Sequence, residues 1–115
     1  ALSKWIKPSL DKGADINAYD ADGNTPLHLS ILRGNLAVQK ILIENNADIN
    51  LRNNPRKTPL FLAVEKNKLD SINLLITNSA NVNLPDIFGR TVVFTTIEQK
   101  NTKVLNLLIQ NKANV

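Results

Sequence analysis

The chain has no cysteine and one histidine among its 115 residues. Without cysteine there is no disulfide, no thiolate nucleophile and no cysteine-ligated zinc. A lone histidine, His28, leaves no histidine pair to hold a metal ion. The four glycines, Gly13, Gly23, Gly34 and Gly89, are isolated, so none builds a phosphate-cradling loop. The ten carboxylates are scattered, with no pair placed for acid–base work. No apolar run approaches the ~20 residues of a membrane helix. The N-terminal stretch ALSKWIKPSLDKG lacks the apolar core of a secretory leader. These gaps lead to the expectation of a protein without catalytic residues, cofactor or metal. The missing cysteines fit a reducing compartment, and a cytoplasmic location is expected.

What is present is enough for one domain with a real core: 43% hydrophobic and 21% charged residues. Fourteen basic residues against ten acidic ones give a formal charge of +4. That is a mild bias toward acidic partners. It falls short of a nucleic-acid signature, which needs clustering as well as sign.

The strongest signal is an internal repeat. GADIN ends at Asn17, NADIN at Asn50 and SANVN at Asn83, and KANV closes the chain at Val115. Ala14, Ala47, Ala80 and Ala113 are spaced by 33 residues, as are Thr25, Thr58 and Thr91, Leu42, Leu75 and Leu108, and Ile43, Ile76 and Ile109.

Local rules agree within each period. Thr25 and Thr58 suit an N-cap, because a hydroxyl can accept from a free first-turn N–H. Pro26 and Pro59 follow at the first helical position, where a missing N–H costs nothing. Short apolar helices are expected over 26–33 and 59–66, each ended by a left-handed residue, Gly34 or Asn67. Second helices follow over 36–45, 69–78 and 102–111, with apolar residues at helical spacing. Each helix is only two to three turns long and must stack on neighbours to be stable.

Residues 20–50, DADGNTPLHLSILRGNLAVQKILIENNADIN, resemble an ankyrin repeat almost end to end. Residues 53–83 resemble it with TPLF, and residues 86–115 in degraded form with TVVF; residues 1–17 resemble only the second half. The resemblance implies an all-α solenoid, a right-handed stack of helix–turn–helix units with β-hairpin finger loops. It implies one domain over 1–115, with a partial repeat at 1–19 and repeats at 20–52, 53–85 and 86–115, and it would suit a fragment of a longer array. It also implies a structural role for His28, tying its helix to the next repeat through its ring nitrogens. Phe61 and Phe94 occupy the equivalent slot, which therefore also takes an apolar ring.

The resemblance further implies protein–protein interaction through the fingers and first helices, which line a concave groove. Carried over by position, the first finger offers Tyr19, Ala21, Asp22 and Asn24. The second offers Arg52, Asn54, Pro55 and Lys57, with Arg56 in place of the usual turn glycine. The third offers Ile87, Phe88 and Arg90. Leu32, Arg33, Glu65, Lys66, Glu98 and Gln99 should face the groove from the first helices. The cations make this face basic, and Tyr19, Ile87 and Phe88 supply apolar anchors. Arginine and aromatic residues dominate interface hot spots, so an acidic protein segment is the expected partner.

Two alternatives accompany that expectation. One is a nucleic-acid binder using the basic fingers, weakened because no aromatic stacking platform accompanies the charge. The other is that the array is a substrate: Leu42 and Leu75 each precede Asn50 and Asn83 by eight residues, resembling the acceptor pattern of asparaginyl hydroxylases. The sequence DADGN (20–24) hints at a calcium loop. Ala18 and Leu29 stand where further oxygen ligands would be needed, so a turn with Gly23 at positive φ is expected instead. Trp5 is expected to cover the end of the apolar stack, with contact to a partner as the alternative, and Pro8 to delay or kink the helix around it. The last unit should be the weakest, with Val92, Thr95, Thr96, Lys100, Thr102 and Lys112 at less suitable positions.

Overall fold

The computed structural model describes residues 15–111. The expectations for Trp5, Pro8, Lys112 and Ala113 lie outside them. Among the described residues six helices follow in order: α1 (Pro26–Leu32), α2 (Leu36–Glu44), α3 (Pro59–Glu65), α4 (Leu69–Thr77), α5 (Val92–Glu98) and α6 (Thr102–Gln110). The molecule measures 43 × 25 × 21 Å, as a stack of small units should.

The helix starts follow from the sequence. Thr25 and Thr58 are extended N-caps whose side chains accept from the backbone N–H of His28 and Phe61. Proline occupies the first turn of both helices. Thr91 has the same extended backbone but makes no capping bond, and Val92 stands where the prolines were. The turns between paired helices need a left-handed residue, found at Gly34 (φ 68°), Asn67 (φ 53°) and Lys100 (φ 55°). The lysine carries the steric cost that glycine avoids.

Within each unit the helices pair as α1 with α2, α3 with α4 and α5 with α6. Between units, α1 packs on α3, α3 on α5, and α2 on α4. The last helix, α6, packs chiefly on its own partner α5. One continuous core runs through the stack, including Leu27, Ile31, Leu42, Leu60, Phe61, Val64, Ile72, Leu75, Val93 and Leu108. The middle helix is the most enclosed, with Pro59 to Val64 all buried.

Hydrogen bonds repeat with the sequence period. The Asp48 N–H donates to Asn17 Oδ1, and the Asn81 N–H to Asn50 Oδ1, both at 2.8 Å. Each loop tip also bonds to the next: the Asn54 N–H to Asp22 O at 3.0 Å, and the Ile87 N–H to Pro55 O at 2.9 Å.

The tips project as turns, and the β-hairpin form expected of them is not confirmed. No β-strand forms among the described residues. Each tip is a tight turn closed by backbone bonds, such as Asp86 N–H to Arg90 O at 2.8 Å and Gly89 N–H to Asp86 O at 3.0 Å. The reason is local: Asp20, Asn53 and Asp86 turn their side chains onto the tip N–H groups. Gly23, Arg56 and Gly89 take the left-handed position, at φ 78°, 64° and 78°. A Cβ at Gly23 would collide with the Asn54 backbone nitrogen at 2.6 Å, so the close approach of tips one and two needs glycine there. The described residues contain no helix long and apolar enough to cross a membrane.

Candidate functional site

The third tip carries the most distinctive group of side chains. Asp86 is buried at the base of the turn. Its Oδ1 accepts from the Phe88 and Arg90 N–H groups, both at 2.9 Å. Its Oδ2 accepts from Arg90 Nε and Nη2 at 3.2 and 3.1 Å, a two-pronged ion pair. Burial pushes the Asp86 carboxyl up, but the two N–H groups and the guanidinium outweigh it and hold it below its ordinary value.

Held in this way, the Arg90 guanidinium lies 4.9 Å from the Phe88 ring centroid and 5.9 Å from that of Phe94. Such contacts are favourable because a cation meets the negative face of the ring. The outcome is a stiff tip that keeps large apolar side chains in water: Ile87 is 58% exposed and Phe88 76%. Phe94 and Ile97 extend the apolar surface along α5, at 45% and 61% exposure. Their equivalents one unit earlier, Phe61 and Val64, are each 1% exposed beneath α5.

The other site residues are placed as follows. Tyr19 and Asp22 lie exposed at the first tip, and Asn24 Oδ1 accepts from Asn53 Nδ2 at 3.0 Å. Asn54 Nδ2 donates to Ala21 O at 2.9 Å, so Asn54 joins two tips as well as facing solvent. Leu32 and Arg33 are exposed at the end of α1. Gln99, at the matching place on α5, reaches back to the Val64 and Glu65 carbonyls, both at 3.2 Å.

The expected basic face is partly spent on the protein itself. Lys57 Nζ pairs with Glu65 Oε2 at 2.8 Å and lies 5.5 Å from the Phe61 ring centroid. Arg90 is committed to Asp86. Arg52 Nη1 donates to Pro85 O at 3.1 Å. Arg33, Arg56 and Lys66 are the exposed cations left on this side. Sequence reasoning missed Asp86 as the organiser of the third tip. Its signal was the 33-residue series Asp20, Asn53, Asp86, a carboxylate or amide at the base of each turn. The exposure of Phe94 and Ile97 had no such signal, because their equivalents are core residues.

His28 is fully buried and bonded at both ring nitrogens. The Thr25 N–H donates to Nδ1 at 3.1 Å, which assigns Nδ1 as an acceptor and puts the proton on Nε2. Nε2 then donates to Lys57 O in the next unit at 2.8 Å. The Thr25 hydroxyl is 2.8 Å from Nδ1. Burial pushes the imidazole below its ordinary value, against smaller opposing effects of the Lys57 carbonyl and the Asp20 charge. A neutral ring with both nitrogens in use ties two units together. Among the described residues no cluster of three or more histidine, aspartate or glutamate side chains could hold a metal.

A family profile for ankyrin repeats (3 copies) matches residues 3–86. An ankyrin repeat protein of Fowlpox virus (strain NVSL) is 42% identical over 40 residues, 35% of this chain and 28% of the viral protein. Acyl-CoA-binding domain-containing protein 2 of Arabidopsis thaliana is 44% identical over 36 residues, 31% of this chain and 10% of the plant protein. The chain therefore matches less than a third of either relative's length. Ankyrin repeats are generally protein–protein interaction modules. The profile, the 33-residue period and the stacked helix pairs together establish that the chain belongs to the ankyrin repeat family.

Proposed function

We propose that this chain is a non-enzymatic scaffold that docks a protein segment across its tip face, with the third tip as the anchor. The observation that carries the reading is the exposure of Ile87 and Phe88 on a turn made rigid by Asp86 and Arg90. Exposed apolar side chains cost solvation, and a rigid aromatic loses little entropy when a partner covers it. Tyr19, Asp22, Asn24, Leu32, Arg33, Arg52, Asn54 and Lys57 form the flanking surface in this reading. Arg33, Arg56 and Lys66 favour acidic residues in the partner, at the rim rather than the centre. Rim charges act mainly on the rate of encounter, and buried apolar anchors on residence time. The partner is thus expected to present apolar side chains flanked by carboxylates.

A photo-crosslinking residue placed at position 88 tests this. It should capture a discrete protein from native extract, and the same residue at the exposed position 106, on α6, should not. Capture from 106 with none from 88 would move the site to the helical side of the stack.

A further inference from the structure

Two interfaces between complete units among the described residues are closed by different chemistry at the same place. Between the first and second units the buried ring is His28; between the second and third it is Phe61. Phe61 carries no proton to gain. His28 has one acceptor nitrogen, Nδ1, already facing the Thr25 N–H, and one donor nitrogen fixed on Lys57 O. We propose that His28 is an acid-sensitive latch: protonation of its ring releases the first unit from the second and leaves the second and third units stacked.

The reasoning starts from the ring's bonds. A proton on Nδ1 points at the Thr25 N–H, so two donors meet and that bond is lost. The hydroxyl of Thr25 can turn to accept, but it then serves both the new N–H and the His28 backbone N–H that it caps at 3.4 Å. The new charge lies in a fully buried slot, where an unpaired ion is costly. The charged groups around it do not compensate. Among the described residues Asp20, at the tip before α1, is the carboxylate that acts on the ring, through space and as the smallest of the effects on it. On the tip and helix packed against α1, Lys57 gives the ring its carbonyl, while its ammonium is held by Glu65. Arg56 and Lys66 are exposed cations on the same tip and helix, Arg33 ends α1, and α2 carries the exposed Lys40 and Glu44.

Release has a definite route. Protonation leaves the Nε2–H donor to Lys57 O in place, so release comes from the buried charge: the ring leaves its slot for water and gives up the Lys57 carbonyl as it goes. Of the remaining polar links across the tips, the Asn54 side-chain bond to Ala21 lies at the surface where water can replace it, Asn54 N–H also bonds Asp22 O, and the Asn53 bond to Asn24 is part-buried but carries no charge. The first tip would then move independently of the second. Any ligand that spans both would lose part of its surface in acid. This inference does not depend on the docking site proposed above.

The test is amide exchange on the whole chain at about pH 7.5 and about pH 5, corrected for intrinsic rates, since an ordinary imidazole titrates near ~6.5. At the lower pH the protection of residues 26–44 should fall roughly tenfold or more relative to residues 59–77. His28→Phe, which places the Phe61 chemistry at the first interface, should hold that ratio constant. The single histidine also gives a single set of imidazole NMR signals, so its titration is read directly in the wild type. Loss of protection should follow that titration. The proposal is overturned if the ratio is the same at both pH values, if His28→Phe keeps the acid response, or if the imidazole titrates fully with protection unchanged.

Discussion

Arg90 and Phe88 form a locked pair: the guanidinium lies 4.9 Å from the ring centroid while Asp86 grips it from below. The pair turns a loop tip into a fixed feature of the stack. It also removes Arg90 from the pool of free cations, so the third tip is better described as apolar than as basic.

Removing Asp86 should release this arrangement. Asp86→Ala leaves two tip N–H groups and a guanidinium without their acceptor, and should lower stability by about 1–3 kcal/mol in denaturant melts. The carboxyl's folded value lies below the unfolded one, so its contribution is present above about pH 4 and lost as pH falls through the folded value. The acid limb of wild-type stability should therefore be steeper than that of Asp86→Ala.

His28→Ala should cost about 1–3 kcal/mol, through a small cavity and the orphaned Lys57 carbonyl. Binding measured on fully folded protein near neutral pH should barely change. The folded imidazole value is depressed, so the histidine's contribution is complete above about pH 6.5 and declines as pH drops below it. A variant as stable as wild type but unable to bind would contradict a structural role.

Gln39 is fully buried, and its Oε1 has no hydrogen-bond partner. Its Nε2 makes one long bond, 3.4 Å to Ser30 O. The matching residues of the later units are Ile72 and Leu105. Gln39→Leu should therefore raise stability by about 1 kcal/mol, since an unsatisfied buried acceptor costs roughly 1–3 kcal/mol. Thermal melts would show the gain, and a loss would mean that the amide is satisfied in solution.

Amide exchange should run faster in 92–110 than in 26–44. The Thr91 side chain makes no capping bond, Lys100 sits at φ 55°, and α6 packs chiefly on its own partner α5, whereas α2 and α4 also pack on each other. A left-handed lysine costs about 1 kcal/mol, and Lys100→Gly should recover part of the difference. Equal protection in both segments would mean that packing within the last unit offsets these departures.

Much of this fold was legible because its causes are local. The Thr25 and Thr58 caps, the prolines after them and the left-handed Gly34 and Asn67 each act within a few residues, and the period carried them along the chain. The bonding of His28 followed from the family resemblance and needed only Thr25 and the next tip. The site was less legible. Formal charge counts Lys57, Arg52 and Arg90 as available, but pairing depends on where a tip puts its side chains. Lys57 finds Glu65 eight residues on, and Arg90 finds Asp86 across a turn. The exposure of Phe94 and Ile97 was hidden because Phe61 and Val64, at the same positions one unit earlier, are core residues.

The central claim is that the apolar third tip, rather than the charge of the face, anchors the partner. The most direct measurement is the affinity of an identified partner for wild type, Phe88→Asp and Arg56→Gly, each verified as folded. Arg56→Gly removes a free tip cation and relieves a left-handed φ of 64°, so it should bind within a few-fold of wild type. Phe88→Asp should weaken binding by about 2 kcal/mol or more, chiefly through faster dissociation. Near-normal binding by Phe88→Asp together with loss of binding by Arg56→Gly would contradict the account.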